Sequence, residues 1–385
     1  MQSTSSLLEQ KLKRIRLKIE EGQEQEAIET LEGLSAETSS KEERDIIFTR
    51  AWYFAHNEQW DKAVELLTPF YDPEEIEASW HAASLKERER RAIYLLWLGN
   101  AAVNFSYYED AAHYFSHCLK VLDMRRVHLP RVQIQALLGF AMTCIPLGLF
   151  PSAIENYEKA VQVSMKEKLT DDLPHIYYGL ADAHRQAGHF GEAYHYGKMA
   201  LKMYQEKGSR YHECRMLNLL GRVALQLGDY RASADYYMDS ISIATVDNHA
   251  GMQLINFVAM GDLRLEENRF EEARDYCKRA REICRAIEND HHICGIMYMI
   301  SGKVEQREAA QHEGQQACTL LEEALAYYQR ARGLFEKTQA HANLHEINGR
   351  IAEVYEAMHR PEQALAYWKD SSIPSANLQS LLLDE

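Results

Sequence analysis

One group of cysteine and histidine side chains in this 385-residue chain has the composition of a metal site. Cys284, His291, His292 and Cys294 lie close together in the sequence, and zinc accepts both ligand types. Their spacing matches no familiar zinc motif, and the chain has 17 histidines, so chance neighbours are common. We therefore expect no metal and no other cofactor.

Signatures of catalysis are absent from the sequence. It contains no HExxH, no GxSxG, no Walker A motif and no GxGxxG that opens a helix. Acidic pairs such as Asp171–Asp172 lie in polar connectors, whereas general acid–base catalysis needs a cleft with little water. We therefore expect a protein that is not an enzyme.

A small residue recurs along the chain, and in most copies an aromatic residue stands three positions before it. The small residues are Ala27, Ala63, Ala111, Ala153, Ala193, Ser233, Ala273, Ala324 and Ala364. A second small residue, such as Ala181 or Gly221, stands twelve positions earlier, and aromatic residues such as Tyr157 stand four positions later. Offsets of three and four lie on one helical face, so each repeat predicts a helical hairpin whose helices approach closely at the small residues.

Successive small residues are about 40 residues apart in most of the chain, and two of the intervals are clearly longer. A step of 48 residues contains YDPEEIEASWHAASLKERERR, which predicts an insertion, and a step of 51 residues predicts a longer first helix or a loop. Gly148, Gly188 and Gly228 fall between the two helices of their repeats, where they fit helix C-caps.

The pattern, strongest from about residue 90 to 285, resembles the tetratricopeptide repeat (TPR) superfamily. It departs from that family in its longer period and in lacking most of the first-helix tryptophans. Long-period arrays of this kind are similar to the Rap/NprR regulators, the sensor region of MalT-type activators and the LGN-type scaffolds. The resemblance implies an all-α, right-handed α-solenoid of about nine TPR-like hairpins.

The organisation expected is a single superhelical domain over residues 1–385. It comprises degenerate N-terminal hairpins in 1–70, core repeats in 90–285, C-terminal repeats in 286–370 and a capping tail in 371–385.

The resemblance also implies a ligand groove, because first helices line the concave side of TPR superhelices. Arginine can clamp a carboxylate, and asparagine can hydrogen-bond a peptide backbone. The positions that project into the groove are Asn100, Tyr178, Asp182, Arg185, Arg215, Asn218, Arg222 and Asp262.

The net charge of −15 disfavours direct binding of nucleic acid or of an anionic membrane surface. The first residues contain no apolar run of the signal-peptide type, and the seven scattered cysteines are typical of reduced thiols, so we expect a cytoplasmic protein.

The expected function is a scaffold that binds a protein or peptide in its groove. Two alternatives stay open: a Rap/NprR-like or MalT-like receptor switched by a peptide or effector, and a non-catalytic helical subunit of an enzyme complex.

Overall fold

The structure, a computed structural model, describes residues 3–21, 23–34, 40–71, 83–123, 127–287, 291–338 and 340–371. These residues form 18 α-helices joined by turns, and no strand occurs among them. The predicted all-α class is confirmed.

The chain forms two compact units, Met1–Tyr196 (unit 1) and Gly197–Glu385 (unit 2). The helices of unit 1 are α1 (Ser3–Glu20), α2 (Glu24–Gly33), α3 (Ser40–His56), α4 (Trp60–Leu67), α5 (Leu85–Asn104), α6 (Tyr108–Asp123), α7 (Pro130–Cys144), α8 (Phe150–Lys166) and α9 (Leu173–Gln186). Helix α10 (Phe190–Glu206) contributes residues to both units. The helices that follow in unit 2 are α11 (Arg210–Gln226), α12 (Tyr230–Val246), α13 (Ala250–Glu266), α14 (Phe270–Ala286), α15 (His291–Ala309), α16 (Gly314–Lys337), α17 (His341–Ala357) and α18 (Pro361–Ser371). The single domain over residues 1–385 stays a prediction.

The small residue of every repeat lies in the second helix of a hairpin. Ala153, Ala193 and Ala273 each occupy the fourth position of their helix and are fully buried. The other six small residues are also buried, one in each remaining even-numbered helix. The predicted number of about nine hairpins is therefore confirmed for the residues that the structure describes.

The turn inside most hairpins contains a residue with positive φ, five positions before the small residue. In the turn between α9 and α10, Gly188 has φ of 79°. Its N–H donates to the carbonyl of Arg185, and the N–H of His189 donates to the carbonyl of His184 at 2.8 Å. This is the hydrogen-bond pattern of a Schellman cap. Positive φ at Gly148 and Gly228 as well confirms the predicted C-caps.

Phe115 shows how the hairpins of unit 1 pack together. Its ring fills the space that a Cβ would occupy at Gly99 on α5 and at Gly139 on α7. Such a Cβ would lie only 2.5 Å from the nearest ring atom at Gly99 and 2.4 Å from it at Gly139. The ring therefore lies between the first helix of its own hairpin and the first helix of the next. The aromatic residue four positions after the small residue Ala111 thus fills the gap between one hairpin and the next.

The 51-residue step is explained by a long second helix. Helix α16 has 24 residues where α12 and α14 have 17, while α15 has 19 where α13 has 17. The prediction that a longer first helix or a loop accounts for most of the added residues is therefore wrong. Residues 315–337 contain no proline and only Gly333 as a weak helix former, so the helix continues through them. Residues 72–82, within the other insertion, and residues 372–385 of the tail lie outside the described residues.

The cysteines differ from the expectation of reduced thiols at one place. Cys284 on α14 and Cys294 on α15 form a disulfide with a Cα–Cα distance of 5.9 Å. Such a bond links two thiols that come into contact at the turn between two hairpins. No helix among the described residues is both long enough and apolar enough to span a bilayer.

Candidate functional site

All eight residues of the predicted groove lie on first helices of their hairpins. We call the surface formed by the first helices of one unit the first-helix face of that unit. Unit 1 carries four of them, which are Asn100 on α5 and Tyr178, Asp182 and Arg185 on α9. Unit 2 carries the other four, which are Arg215, Asn218 and Arg222 on α11 and Asp262 on α13.

The three site residues of α9 form one local cluster. Arg185 donates from Nε and Nη2 to the same carboxylate oxygen of Asp182, at 3.0 and 2.8 Å. Burial raises the pKa of Tyr157, and the nearby Asp182 and Tyr178 raise it further. Asn100 is half-buried and makes no hydrogen bond with the described residues. The α9 cluster therefore presents a partly neutralised carboxylate together with the phenol of Tyr178, above the buried Tyr157 of α8.

Asn218 is a candidate contact for a ligand, and it also has a role in holding the helices together. It is buried, and its Nδ2 donates to Oδ1 of Asn256 on α13 at 2.9 Å. Asn256 in turn donates to Oγ of Ser240 and to the carbonyl of Met252, each at 2.8 Å. This buried network connects α11, α12 and α13, and it uses part of the hydrogen-bonding capacity that we expected a ligand to use.

Arg215 lies near the start of α11, beside aromatic rings. Its guanidinium is 5.9 Å from the ring centroid of Tyr211. Burial lowers the pKa of His212, and the positive charge of Arg215 lowers it further. Because the lowered pKa keeps His212 neutral at neutral pH, Arg215 rather than His212 is the cation that can bind an anionic group here.

Three charged residues occupy the same repeat position on successive first helices of unit 2. Arg222, Asp262 and Lys303 each follow the small residue of their helix, on α11, α13 and α15. Burial raises the pKa of Asp262 and Glu266 adds to this effect, whereas Lys303, Arg307 and Arg222 lower it. Equivalent positions of these three first helices therefore carry charges of alternating sign.

Ion pairs continue this row along the face of unit 2. Lys303 Nζ is 2.7 Å from a carboxylate oxygen of Glu346 on α17, and Arg307 Nη2 is 3.0 Å from one of Glu266. Arg307 also donates to the carbonyl of Leu265 at the end of α13. The first-helix face of unit 2 therefore alternates positive and negative groups that can contact both charged and backbone groups of a ligand.

The sequence analysis did not place Lys303 in the groove, because the repeat that contains it was recognised only by its second small residue, Ala324. A signal for it exists in the sequence, since Gly221, Gly261 and Gly302 stand at nearly equal spacing. Gly302 packs against Tyr328, as Gly221 packs against Tyr237. The residue after Gly302 therefore belongs to the same row as Arg222 and Asp262.

The cysteine and histidine group considered as a metal site has another arrangement. Two of its four members, Cys284 and Cys294, are joined in the disulfide, and His292 packs against Phe335 with ring centroids 5.8 Å apart. Within the described ranges, no cluster of three or more His, Cys, Asp or Glu residues is arranged to hold a metal ion.

The central part of the chain matches a family model. Residues 132–206 and 175–245 match the tetratricopeptide repeat model, which confirms that these repeats are of the TPR type. No curated protein matches the chain at the level of sequence.

Several solved structures share the fold. Apo NprR, a quorum sensor from B. thuringiensis, has a TM-score of 0.68 at 15% identity, covering 98% of this chain and 100% of that one. A Rap protein complexed with competence and sporulation factor has a TM-score of 0.64 at 14% identity, covering 98% and 99%. NprR in complex with its cognate peptide NprX has a TM-score of 0.53 at 13% identity, covering 85% and 96%. These likenesses confirm, at the level of the fold, the resemblance to TPR-type arrays of the Rap/NprR kind.

Proposed function

We propose that the chain is a regulatory protein that binds a peptide, or an extended segment of a protein partner, along its first-helix faces. It acts by binding and has no catalytic activity of its own. The observation that carries the proposal is the row of Arg222, Asp262 and Lys303, which stand at the same repeat position on successive first helices of unit 2. A row of charges that crosses stacked helices is suited to an extended ligand.

The spacing of such a row fits a peptide that crosses the helices. Packed helices lie about 8–10 Å apart, and an extended chain advances about 3.3 Å per residue, so neighbouring positions of the row would contact about every third residue. Arginine and lysine would bind carboxylates or backbone carbonyls, and Asp262 would accept hydrogen bonds from N–H groups. Register and orientation of the ligand would follow from the alternating charges.

Two of the similar structures support this proposal because they contain a ligand. One is described as a Rap protein complexed with competence and sporulation factor, and another as NprR in complex with its cognate peptide NprX. The shared fold supports a peptide-binding use of the first-helix face, while the side chains of this chain would select a different sequence.

A finer form of the proposal is a receptor in which the bound peptide changes association with a second protein, and the likeness to NprR and to a Rap protein favours it. The remaining alternative is a non-catalytic helical subunit of an enzyme complex, with the catalytic groups on another chain. A receptor requires both a peptide and a second protein, whereas a scaffold or subunit requires only one partner.

The test starts from a phage-displayed library of random linear peptides selected on the full chain. The tightest peptide is then titrated by calorimetry against the parent protein and the variants Arg222→Ala and Asp262→Asn. Loss of a charge-assisted hydrogen bond should lower the affinity about 10- to 100-fold. The control is Lys202→Ala. Lys202 is an exposed residue of the second helix α10, and its one ion pair with a described residue is that with Glu206, at 3.8 Å.

Lys202→Ala should change the affinity by less than about threefold, because exposed ion pairs contribute little. The proposed surface is wrong if a selected peptide binds both first-helix variants as tightly as it binds the parent. It is also wrong if the selection yields no peptide that binds the folded chain.

A further inference from the structure

A cavity of about 740 Å³ opens on the first-helix face of unit 1. Three of the five tryptophans of the chain line it: Trp52 on α3, Trp60 at the start of α4 and Trp97 on α5. Small-molecule sites in proteins are concave, about 300–1,000 Å³ in volume, and lined mainly by apolar and aromatic groups. The volume of the cavity falls in this range, and seven of its eleven described lining residues are apolar or aromatic. The other four are polar, and none of the predicted groove residues lines it.

The floor of the cavity is held in place by its own packing. Trp97 is buried, with its ring 5.6 Å from Phe48 in a stacked arrangement and 6.1 Å from Trp52 in an edge-to-face arrangement. Leu96 on α5 and Val132 on α7 complete the apolar lining. Because these rings are already fixed, a ligand would lose little free energy in ordering them.

One tryptophan has capacity left for a ligand. Trp60 is half-buried, and its indole N–H has no hydrogen-bond partner among the residues that the structure describes. By contrast, the guanidinium of Arg16 already lies 5.6 Å from the ring centroid of Trp52. Trp60 therefore offers a ligand both ring surface and a hydrogen-bond donor.

The rim of the cavity carries a cation with unused hydrogen-bonding capacity. Arg131, the second residue of α7, is exposed and makes no ion pair with the described residues. Gln135, one helical turn later, and His56 on α3 are also exposed at the rim. Glu58 is the one acidic lining residue of the cavity, and it forms no ion pair with Arg131 within the described part of the chain.

We propose that this cavity binds a small organic acid, with an apolar or aromatic body against the tryptophans and a carboxylate on Arg131. A guanidinium presents a planar fork that matches a carboxylate with two hydrogen bonds. Tryptophan supplies a large apolar contact and a free N–H donor for a second oxygen. The proposal goes beyond peptide binding, because it concerns a different ligand class and a site in unit 1 rather than the charged row of unit 2.

Three probes with the same apolar body separate the contributions of shape and charge. They are 4-phenylbutyrate, 4-phenyl-1-butanol and 4-phenylbutylamine, which carry an anion, a neutral hydroxyl and a cation. Each is titrated into the full chain while tryptophan fluorescence is recorded, since three tryptophans line the cavity. The carboxylate should give a saturable change and bind about tenfold more tightly than the alcohol, with the amine weakest.

Arg131→Gln tests the assigned cation, and Arg231→Gln is its matched control. Arg231 is likewise the second residue of its helix, α12, is exposed, and lies in unit 2. Arg131→Gln should reduce the affinity for 4-phenylbutyrate about tenfold, to that of the alcohol, and leave the alcohol unchanged. Arg231→Gln should change neither, and circular dichroism of both variants confirms that they fold.

Three results would overturn the proposal. One is equal or tighter binding of the alcohol or the amine. The second is unchanged affinity of Arg131→Gln for 4-phenylbutyrate. The third is the absence of any saturable fluorescence change up to about 5 mM of the acid, since a ligand of this size in a preformed site should reach millimolar affinity.

Discussion

Asp262 is the residue at which burial and charge oppose each other most directly on the first-helix face of unit 2. Burial raises its pKa above the ordinary value of 3.8, although Lys303, Arg307 and Arg222 act to lower it. The folded protein therefore holds this proton more tightly than the unfolded chain does. It follows that the charged carboxylate destabilises the fold, and that this destabilisation develops as the pH rises through the folded pKa.

We predict that Asp262→Asn increases the free energy of unfolding at about pH 7 and increases it less at about pH 4, nearer the ordinary pKa of 3.8, because the charged carboxylate of the parent is the destabilising form. Urea denaturation at the two pH values measures this difference. Asp239→Asn, at an exposed carboxylate of α12, is the control for general effects of charge. A smaller stabilisation at the higher pH than at the lower would contradict the assigned direction.

Asn218 illustrates why a role in binding must be separated from a role in stability. Removing its amide leaves the buried Oδ1 of Asn256 without its donor. We predict that Asn218→Ala lowers the free energy of unfolding by about 1–3 kcal/mol. Urea denaturation of Asn218→Ala and of the control variant Asn104→Ala measures this loss. Asn104 is an exposed asparagine of α5, and the free energy of unfolding of its variant should be within about 0.5 kcal/mol of the parent value. Equal stability of the two variants would mean that the network contributes nothing.

At the scale of the elements, the turn inside most hairpins repeats one backbone conformation with different residues. Gly188 and Ser106 occupy the same repeat position with φ of 79° and 60°. A side chain in this left-handed region is strained, whereas glycine is not. We predict that Ser106→Gly increases the free energy of unfolding by about 0.5–1 kcal/mol and that Gly188→Ala decreases it by about 1 kcal/mol or more. Thermal denaturation of the two variants should show shifts of opposite sign, and shifts of the same sign would contradict the prediction.

The contact between Phe115 and the neighbouring first helices gives a second prediction at this scale. A Cβ at Gly139 would meet the Phe115 ring at 2.4 Å, whereas one at Gly333, within α16, would meet nothing within 4 Å. Gly139→Ala should therefore lower the free energy of unfolding by about 1–3 kcal/mol. Gly333→Ala should raise it by up to about 1 kcal/mol through helix propensity.

Chemical denaturation measures both glycine variants. Phe115→Leu alone should also be destabilising, because it leaves a cavity in the core. The double variant Gly139→Ala/Phe115→Leu should lose less than the sum of the two single losses, because the smaller side chain leaves room for the added methyl group. The proposed packing is wrong if Gly139→Ala alone is as stable as the parent.

The hairpins were predictable from the sequence because the features that form them are local. A buried small residue, an aromatic four positions later and a turn residue recur in phase, so Ala153, Tyr157 and Gly148 could be assigned before the structure. Partners across helices were not predictable in the same way. The spacing places Asn218 on a face, but nothing in it indicates that Asn256 is its hydrogen-bond partner.

The long helix α16 and the disulfide were missed for related reasons. A gap in the repeat spacing says how many residues are added but not whether they extend a helix or form a loop. Scattered cysteines likewise do not reveal which pair comes into contact, and the bond between Cys284 and Cys294 depends on how α15 packs on α14. The aromatic cavity was overlooked because the groove positions were not extended to the repeat that contains Ala51, where Trp52 is the next residue.

At the scale of the whole molecule, the question is whether residues 1–385 unfold as one domain. In a repeat array each hairpin is stabilised mainly by its neighbours, so unfolding is cooperative when the interfaces between repeats are strong. The repeat spacing of 40 residues is unbroken from Ala153 through Ala193 and Ser233 to Ala273. The continuous helix α10, which has residues in both units, also favours a single cooperative domain.

The tryptophans allow this prediction to be tested, because four of the five precede residue 197 and only Trp368 follows it. In a Trp368→Phe variant, tryptophan fluorescence reports on unit 1 alone, while far-ultraviolet circular dichroism reports on the helices of both units. Trp368 is exposed, and its indole N–H donates a hydrogen bond to Glu356 at 2.9 Å, so the replacement should cost less than about 1 kcal/mol. For a single domain, the urea transitions recorded by the two probes should coincide. A fluorescence transition displaced from the circular dichroism transition, or a circular dichroism curve with two steps, would show that the two units unfold separately.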